Sequence, residues 1–78
     1  MTSKRPTTRQ IKAARALLRW SQETLALSAG VATTTVKRLE AVDGELGCTP
    51  DIQNKILGAL DVAGVELIDN SGVRHRKD

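Results

Sequence analysis

Three consecutive threonines followed by two basic residues form the most chemically suggestive stretch of this 78-residue chain. Thr33, Thr34 and Thr35 carry short hydroxyl side chains, and Lys37 and Arg38 follow within about one helical turn. Hydroxyl and cationic groups of this kind suit the binding of anions such as phosphate. The segment therefore predicts a binding surface.

Residues suited to catalysis or to a metal site are scarce. Cys48 is the only cysteine and His75 the only histidine, so neither an intramolecular disulfide nor a zinc-type ligand cluster can form. The chain has no phosphate loop, no paired-carboxylate site and no nucleophile with a base beside it. We therefore expect no enzyme activity and no cofactor, and we expect Cys48 to be an inert thiol.

Charge is distributed unevenly along the chain. Residues 1–40 contain eight Lys or Arg and two Glu, a net charge of +6, whereas residues 41–78 have a net charge of −3. The basic half would attract a polyanion, although a solvated surface with uneven charge explains the composition equally well. No apolar run reaches the roughly 20 residues of a membrane span, and residues 1–10 lack the apolar core of a signal peptide. A cytoplasmic protein without a membrane segment is expected.

Local signals predict four helices followed by a β-hairpin. The predicted elements are a mobile basic arm at 1–6, helices at about 8–19, 22–30, 33–41 and 50–63, and a hairpin with strands at 65–68 and 73–76. Capping residues mark three of the helix starts: Thr7 with Gln10, then Ser21, then Thr49 before Pro50. The residues expected to face inward are Ile11, Ala14, Leu18, Leu25, Ala26, Ala29, Val36, Leu39, Ile52, Ile56, Leu57 and Leu60.

The second and third predicted helices have the spacing of a helix-turn-helix pair. Ala26 is small where the helices would cross, Gly30 can adopt the left-handed conformation of the turn, and Val36 and Leu39 would seat the second helix of the pair. A generic helical hairpin in a small bundle is the alternative. In a helix-turn-helix pair, the outer face of the second helix can enter the major groove of DNA.

The same stretch resembles a known family. The resemblance to the Cro and lambda-repressor type regulators, the Xre family, is carried by ARALLRWSQETLALSAGVATTTVKRLE, followed by LDVAGVELID and GVR. It covers about residues 9–76 and points to small single-domain bacterial members that end in a strand pair. It implies a mainly α fold: a four-helix lambda-repressor-like domain at 7–64 with its helix-turn-helix at 22–41, then a hairpin and tail at 65–78. It also implies a sequence-specific double-stranded DNA-binding transcriptional regulator, expected to be a repressor that binds a two-fold symmetric operator as a homodimer.

Roles for individual residues follow from the resemblance. Gln22 would bind a phosphate at the start of the second helix, and the three threonines would meet base edges and backbone at the start of the third, with Lys37 and Arg38 one turn further. We add Arg9 and Arg19 to these candidate DNA-contacting residues. Threonine forms helices poorly, but its short side chain can approach DNA closely, and its methyl group can contact thymine. The alternative is that a threonine caps the helix, since relatives usually have serine where this chain has Ala32.

Arg15 and Glu40 match a pair that forms a salt bridge in the family. Both also lie beside inward-facing positions, where a charge needs a partner, although two unrelated surface charges remain the alternative. Arg19 stands where relatives have glycine, so either it adopts a left-handed backbone or the turn differs. We expect Trp20 in the core rather than stacked on a base. Leu27 either contacts the tail or another subunit or is an ordinary exposed leucine.

Two questions stay open at the level of sequence. A dimer could form through the hairpin edge or through Leu27 and the fourth helix. The same fold also suits an antitoxin or adaptor-type module whose C-terminal hairpin binds a protein partner by extending its sheet.

Overall fold

The computed structural model describes residues 6–68 and 72–75 as four helices followed by an antiparallel hairpin. The elements are α1 (Thr8–Leu18), α2 (Gln22–Ala29), α3 (Thr33–Ala41), α4 (Pro50–Val62), β1 (Val65–Ile68) and β2 (Gly72–His75). The predicted mainly helical class with a C-terminal hairpin is confirmed, and the helix bounds agree within one residue. None of these four helices has the length and apolar character needed to cross a membrane. Residues 1–5 of the predicted arm, residues 69–71 of the predicted turn and residues 76–78 at the end of the hairpin and tail lie outside the described residues.

Three of the four helices begin with a side-chain cap that the sequence predicted. Thr7 and Gln10 form a reciprocal capping box, in which the backbone N–H of each donates to the side chain of the other at 3.1 and 3.2 Å. Ser21 and Thr49 each accept a backbone N–H from the third residue of the helix that follows, at 3.0 and 3.3 Å. These bonds satisfy N–H groups that have no acceptor within the helix, so they determine where each helix begins.

One apolar core lies between the helices and the hairpin. Its buried side chains are Ile11, Ala14, Leu25, Ala26, Ala29, Val36, Leu39, Leu46, Ile56, Leu60 and Val65. The expected inward faces of α2 and α3 are therefore confirmed. Leu18, Ile52 and Leu57 are only partly buried, at the edge of this core. Because α2 and α3 share the core, their relative orientation is fixed by packing.

The hairpin packs chiefly against α1 and α4. Val65 pairs with His75, and Arg74 of β2 donates to Glu66 of β1 across the pair at 2.7 Å. The second strand begins at Gly72, one residue earlier than predicted. A lone hairpin is marginal in water, so these contacts with the helices are needed to hold it.

A buried glutamine joins the hairpin to α1. The Nε2 group of Gln10 donates to the carbonyl oxygens of Ile68 and Gly72 at 2.7 and 3.1 Å. Its Oε1 atom accepts the N–H of Thr7 in the capping box. One side chain thus both starts α1 and ties it to the adjoining ends of the two strands.

Pro6 belongs to the folded body and not to the predicted arm. It is buried, and its carbonyl accepts the N–H of Leu46 at 3.4 Å. Two residues further on, the N–H of Thr8 donates to the carbonyl oxygen of Gly44 at 2.7 Å. The predicted arm boundary at residue 6 is therefore wrong, because pairing with the loop after α3 satisfies the backbone from Pro6 onward.

Candidate nucleic-acid interface

α3 presents a polar and basic face to solvent. Thr34, Lys37 and Arg38 are exposed, and Thr33 and Thr35 are half-buried. Thr34 and Arg38 are four residues apart, so they lie one above the other on the outer face of the helix. The opposite side of α3 packs into the core. The candidates on α3 are therefore all accessible, at least in part, to a large ligand.

The first turn of α3 lacks a side-chain cap, unlike the other three helices. Its N-cap residue is Ala32, whose carbonyl accepts the N–H groups of Thr35 and Val36 at 3.0 and 3.3 Å. The alternative in which a threonine caps this helix is wrong, because the helix has already begun at Thr33. The N–H groups of Thr33 and Thr34 precede the first intrahelical bond and can donate to an anion.

Gly30 makes the turn between α2 and α3. Its φ and ψ of 75° and 33° lie in the left-handed region, where a side chain would be strained. The N–H groups of Gly30 and Val31 both donate to the carbonyl of Ala26, at 2.9 and 3.0 Å. This arrangement ends α2 and lets the chain begin α3 three residues later.

Thr8 holds the other end of α3. It is fully buried, and its Oγ1 hydroxyl lies 2.6 Å from the carbonyl oxygen of Val42 and 3.3 Å from that of Leu39. Carbonyl groups at a helix C-terminus have no N–H partner within the helix. Sequence reasoning missed this contact, because the two carbonyls are 34 and 31 residues away from Thr8 along the chain.

The structure contains the expected ion pair between α1 and the end of α3. Arg15 donates from Nε and Nη2 to the two carboxylate oxygens of Glu40, both at 2.7 Å, and from Nη1 to the carbonyl of Trp20 at 2.9 Å. Burial alone would raise the pKa of Glu40. Hydrogen bonds from Arg15 and Gln22, together with the charges of Arg15 and Lys12, outweigh burial and hold this pKa below its ordinary value. Glu40 is therefore ionised at neutral pH.

Gln22, the expected phosphate ligand, is bonded to Glu40. Its Nε2 atom donates to Glu40 Oε1 at 3.0 Å, and the residue is half-buried at the first position of α2. A primary amide has two N–H hydrogens, so this bond leaves one for a ligand. The pairing could not be found from local patterns, because 18 residues separate the two positions.

Three further cations, Arg9, Lys12 and Arg19, are exposed on and after α1. Arg9 lies 3.7 Å from Asp43, and Lys12 is near enough to Glu40 to lower its pKa, so both lie beside the C-terminal end of α3. The pair with Asp43 is largely exposed and therefore weak. Arg19 has φ 59°, the only positive φ of a non-glycine residue in the part of the chain that is described. Of the two alternatives, the left-handed backbone at Arg19 is correct, and it costs on the order of 1 kcal/mol.

Trp20, Leu27 and Cys48 differ in how far they are buried. Trp20 is half-buried: it packs against the core but also lines an open apolar cleft of about 370 Å³ with Gly58 and Val62 of α4. Leu27 is 84% exposed, so no described residue covers it. Burial raises the pKa of the Cys48 thiol, which disfavours the reactive thiolate at neutral pH.

The candidate residues are amide, hydroxyl and cationic side chains on and between α1, α2 and α3, together with the uncapped first turn of α3. The main stretch on which the expected resemblance to the Cro and lambda-repressor type regulators depends, residues 14–40, includes Gln22, the three threonines and the Arg15–Glu40 ion pair. No protein-family model, curated protein or solved structure matches the chain.

Proposed function

We propose that this chain is a sequence-specific double-stranded DNA-binding transcriptional regulator of the Cro and lambda-repressor type, a cytoplasmic repressor that reads the major groove with α3. The observation that supports this most directly is the exposed face formed by Thr34, Lys37 and Arg38 on a helix held from behind. A helix with side chains is about 10–12 Å across, which matches the roughly 12 Å width of the major groove.

Contacts to bases and contacts to phosphates fall to different residues in this proposal. Arg38 can donate two hydrogen bonds to guanine, and the Thr34 methyl group can contact thymine. Gln22, Arg9 and Arg19 bind the phosphate backbone, which sets the register of α3 on the duplex. Threonine discriminates weakly between bases, so the shape of the DNA also contributes to specificity.

Two copies bind one operator in this proposal. A two-fold axis between them would place the two α3 helices about 34 Å apart, one turn of DNA. The exposed apolar side chains of Leu27 and Val62, 84% and 88% accessible, are candidates for the contact between copies, as are the outer edges of the hairpin. Light scattering of the chain alone and with DNA measures the number of copies, and a single copy on the operator would refute the two-fold arrangement.

Selection of bound sequences from a random duplex pool tests the function, because the operator sequence does not have to be known in advance. We expect an enriched site, on which Thr34→Ala with Arg38→Ala lowers affinity at least tenfold, since a good base contact contributes about 1–3 kcal/mol. Enrichment of no sequence, or unchanged affinity of the double variant, would contradict the proposal.

A matched control separates base reading from loss of fold or charge. Asn54→Ala with Lys55→Ala removes one polar and one cationic side chain from the exposed face of α4, and we expect it to leave affinity nearly unchanged.

If Arg38 neutralises a phosphate instead of reading a base, Arg38→Ala lowers the slope of log K against log salt by about 0.9 and weakens all sequences alike.

An antitoxin or adaptor-type interaction module is the second candidate. It is favoured by the hairpin, whose described strands pair only with each other, so each has an outer edge able to accept a partner strand. A stoichiometric protein complex, together with failure to enrich any duplex, would favour this function over DNA binding.

A further inference from the structure

Gln22 and Arg15 donate to the same carboxylate oxygen. Glu40 Oε1 accepts from Arg15 Nη2 at 2.7 Å and from Gln22 Nε2 at 3.0 Å. Glu40 is 6% exposed, whereas Gln22 is half-buried at the first position of α2. A buried group in the last turn of α3 therefore reaches the N-terminal end of α2.

The carboxylate determines which way the Gln22 amide faces. A carboxylate only accepts hydrogen bonds, so the amide has to present its nitrogen, and not its oxygen, to Glu40. One Nε2 hydrogen is used in this bond and the second remains. A glutamine without such a partner samples several rotamers and both amide orientations, and a ligand would have to select one of them. Glu40 removes that freedom before a ligand binds.

The bond is not needed to satisfy Glu40. Arg15 already donates to both carboxylate oxygens at 2.7 Å. The bond is not needed to join the helices either, because α2 and α3 already share the buried core. Apart from its share in lowering the pKa of Glu40, the bond therefore acts mainly on the orientation of Gln22.

We propose that Glu40 is a positioning residue for a DNA-backbone contact of Gln22, an inference that rests on the proposed function. The second Nε2 hydrogen of Gln22 donates to a phosphate oxygen beside the backbone N–H groups at the start of α2. Arg15 Nη1 also donates to the carbonyl of Trp20, in the turn before α2, at 2.9 Å. The same ion pair thus holds both the backbone that leads to Gln22 and the last turn of α3.

A double-mutant cycle on DNA affinity tests this role. The variants are Gln22→Ala, Glu40→Gln and the two combined, each measured on the selected duplex and corrected for the unfolded fraction seen by circular dichroism. We expect Gln22→Ala to weaken binding about fivefold to tenfold. Glu40→Gln should cause a similar loss in the unsubstituted chain and little further loss when Gln22 is already alanine. If the fold losses of affinity from Gln22→Ala and Glu40→Gln multiply in the combined variant, the positioning role is overturned.

Thr34→Ala provides the matched comparison. Thr34 also lies in the proposed interface but makes no bond to Glu40. The fold losses of DNA affinity caused by Thr34→Ala and by Glu40→Gln should therefore multiply in the double variant. If Glu40→Gln instead perturbs the Thr34 contribution as strongly as the Gln22 contribution, Glu40 acts through the whole fold and the proposal is overturned.

Nuclear magnetic resonance on the unsubstituted chain gives a readout that does not depend on whether a variant folds. We expect duplex DNA to change the chemical shift of one of the two Gln22 Nε2 hydrogens. The chemical shift of the hydrogen that is bonded to Glu40 should stay nearly the same. A change in the chemical shifts of both hydrogens, or of neither, would overturn the positioning role even though DNA binds. If the unsubstituted chain enriches no duplex at all, the proposed function fails and this inference fails with it, so the two failures are distinguishable.

Discussion

The two ends of α3 are stabilised in opposite ways. Its first turn follows Ala32, has no side-chain cap and carries exposed Thr34. Its last turn is bonded to buried Thr8 through backbone carbonyls and to Arg15 through Glu40. A helix fixed from behind at one end and open at the other can present its first turns to a ligand without losing its orientation. Substitutions at the two ends should therefore differ in effect, with the largest losses at the fixed end.

Removing the Glu40 carboxylate should have the largest effect. Glu40→Ala leaves the Arg15 guanidinium, whose side chain is only 20% exposed, without its partner, so the free energy of unfolding should fall by about 3–5 kcal/mol. Urea denaturation measures the loss. Glu66→Ala is the control, because its pair with Arg74 is more exposed and should contribute less than about 1 kcal/mol. Equal losses in the two variants would contradict a special role for the end of α3.

Removing the Thr8 hydroxyl should have the next largest effect. Thr8→Val keeps the shape of the side chain but leaves the carbonyls of Leu39 and Val42 without this donor, so unfolding should become easier by about 1–3 kcal/mol. Thr34→Val, at the open end of the same helix, should change the free energy of unfolding by less than about 0.5 kcal/mol. The difference between the two variants disappears if the ends of α3 are equivalent.

Adding a cap to the open end should stabilise the protein. Ala32 already has the extended backbone of an N-cap residue, with φ −74° and ψ 146°. Ala32→Ser should therefore raise the free energy of unfolding by about 1 kcal/mol in chemical denaturation. Ala41→Ser, at the far end of α3, offers no N–H group to cap and should give no gain. An unchanged stability for Ala32→Ser would mean that the first turn is already satisfied.

Acid should weaken the fixed end, with a smaller effect than deletion of Glu40, because a protonated carboxyl keeps its oxygens near Arg15. The pKa of Glu40 is lower in the folded chain than its ordinary value of 4.5. Its contribution to stability is therefore complete above that value and is lost as the pH falls through the lower, folded-state pKa. Urea denaturation at a series of pH values should show a shallower acid loss for Glu40→Gln than for the unsubstituted chain. Parallel losses would show that Glu40 does not contribute.

Two residues show how far local patterns lead. Thr7 with Gln10 predicts the start of α1 correctly, because a capping box involves only a three-residue separation. The same pattern says nothing about the amide hydrogens of Gln10, which bind the hairpin 58 and 62 residues away. For Arg19, the sequence leaves two backbone conformations open, and only the folded structure shows that the left-handed one is adopted.

The sequence by itself determines where the helices begin and end, which sides face the core, and which side of α3 carries threonines and cations. Caps, glycines and apolar spacing act within about four residues, so these properties can be predicted from short windows. Only the tertiary structure decides that Thr8 holds the end of α3, that Gln10 holds the hairpin and that Glu40 holds Gln22. A buried polar side chain needs a partner within about 3 Å, and packing alone determines which distant part of the chain supplies that partner.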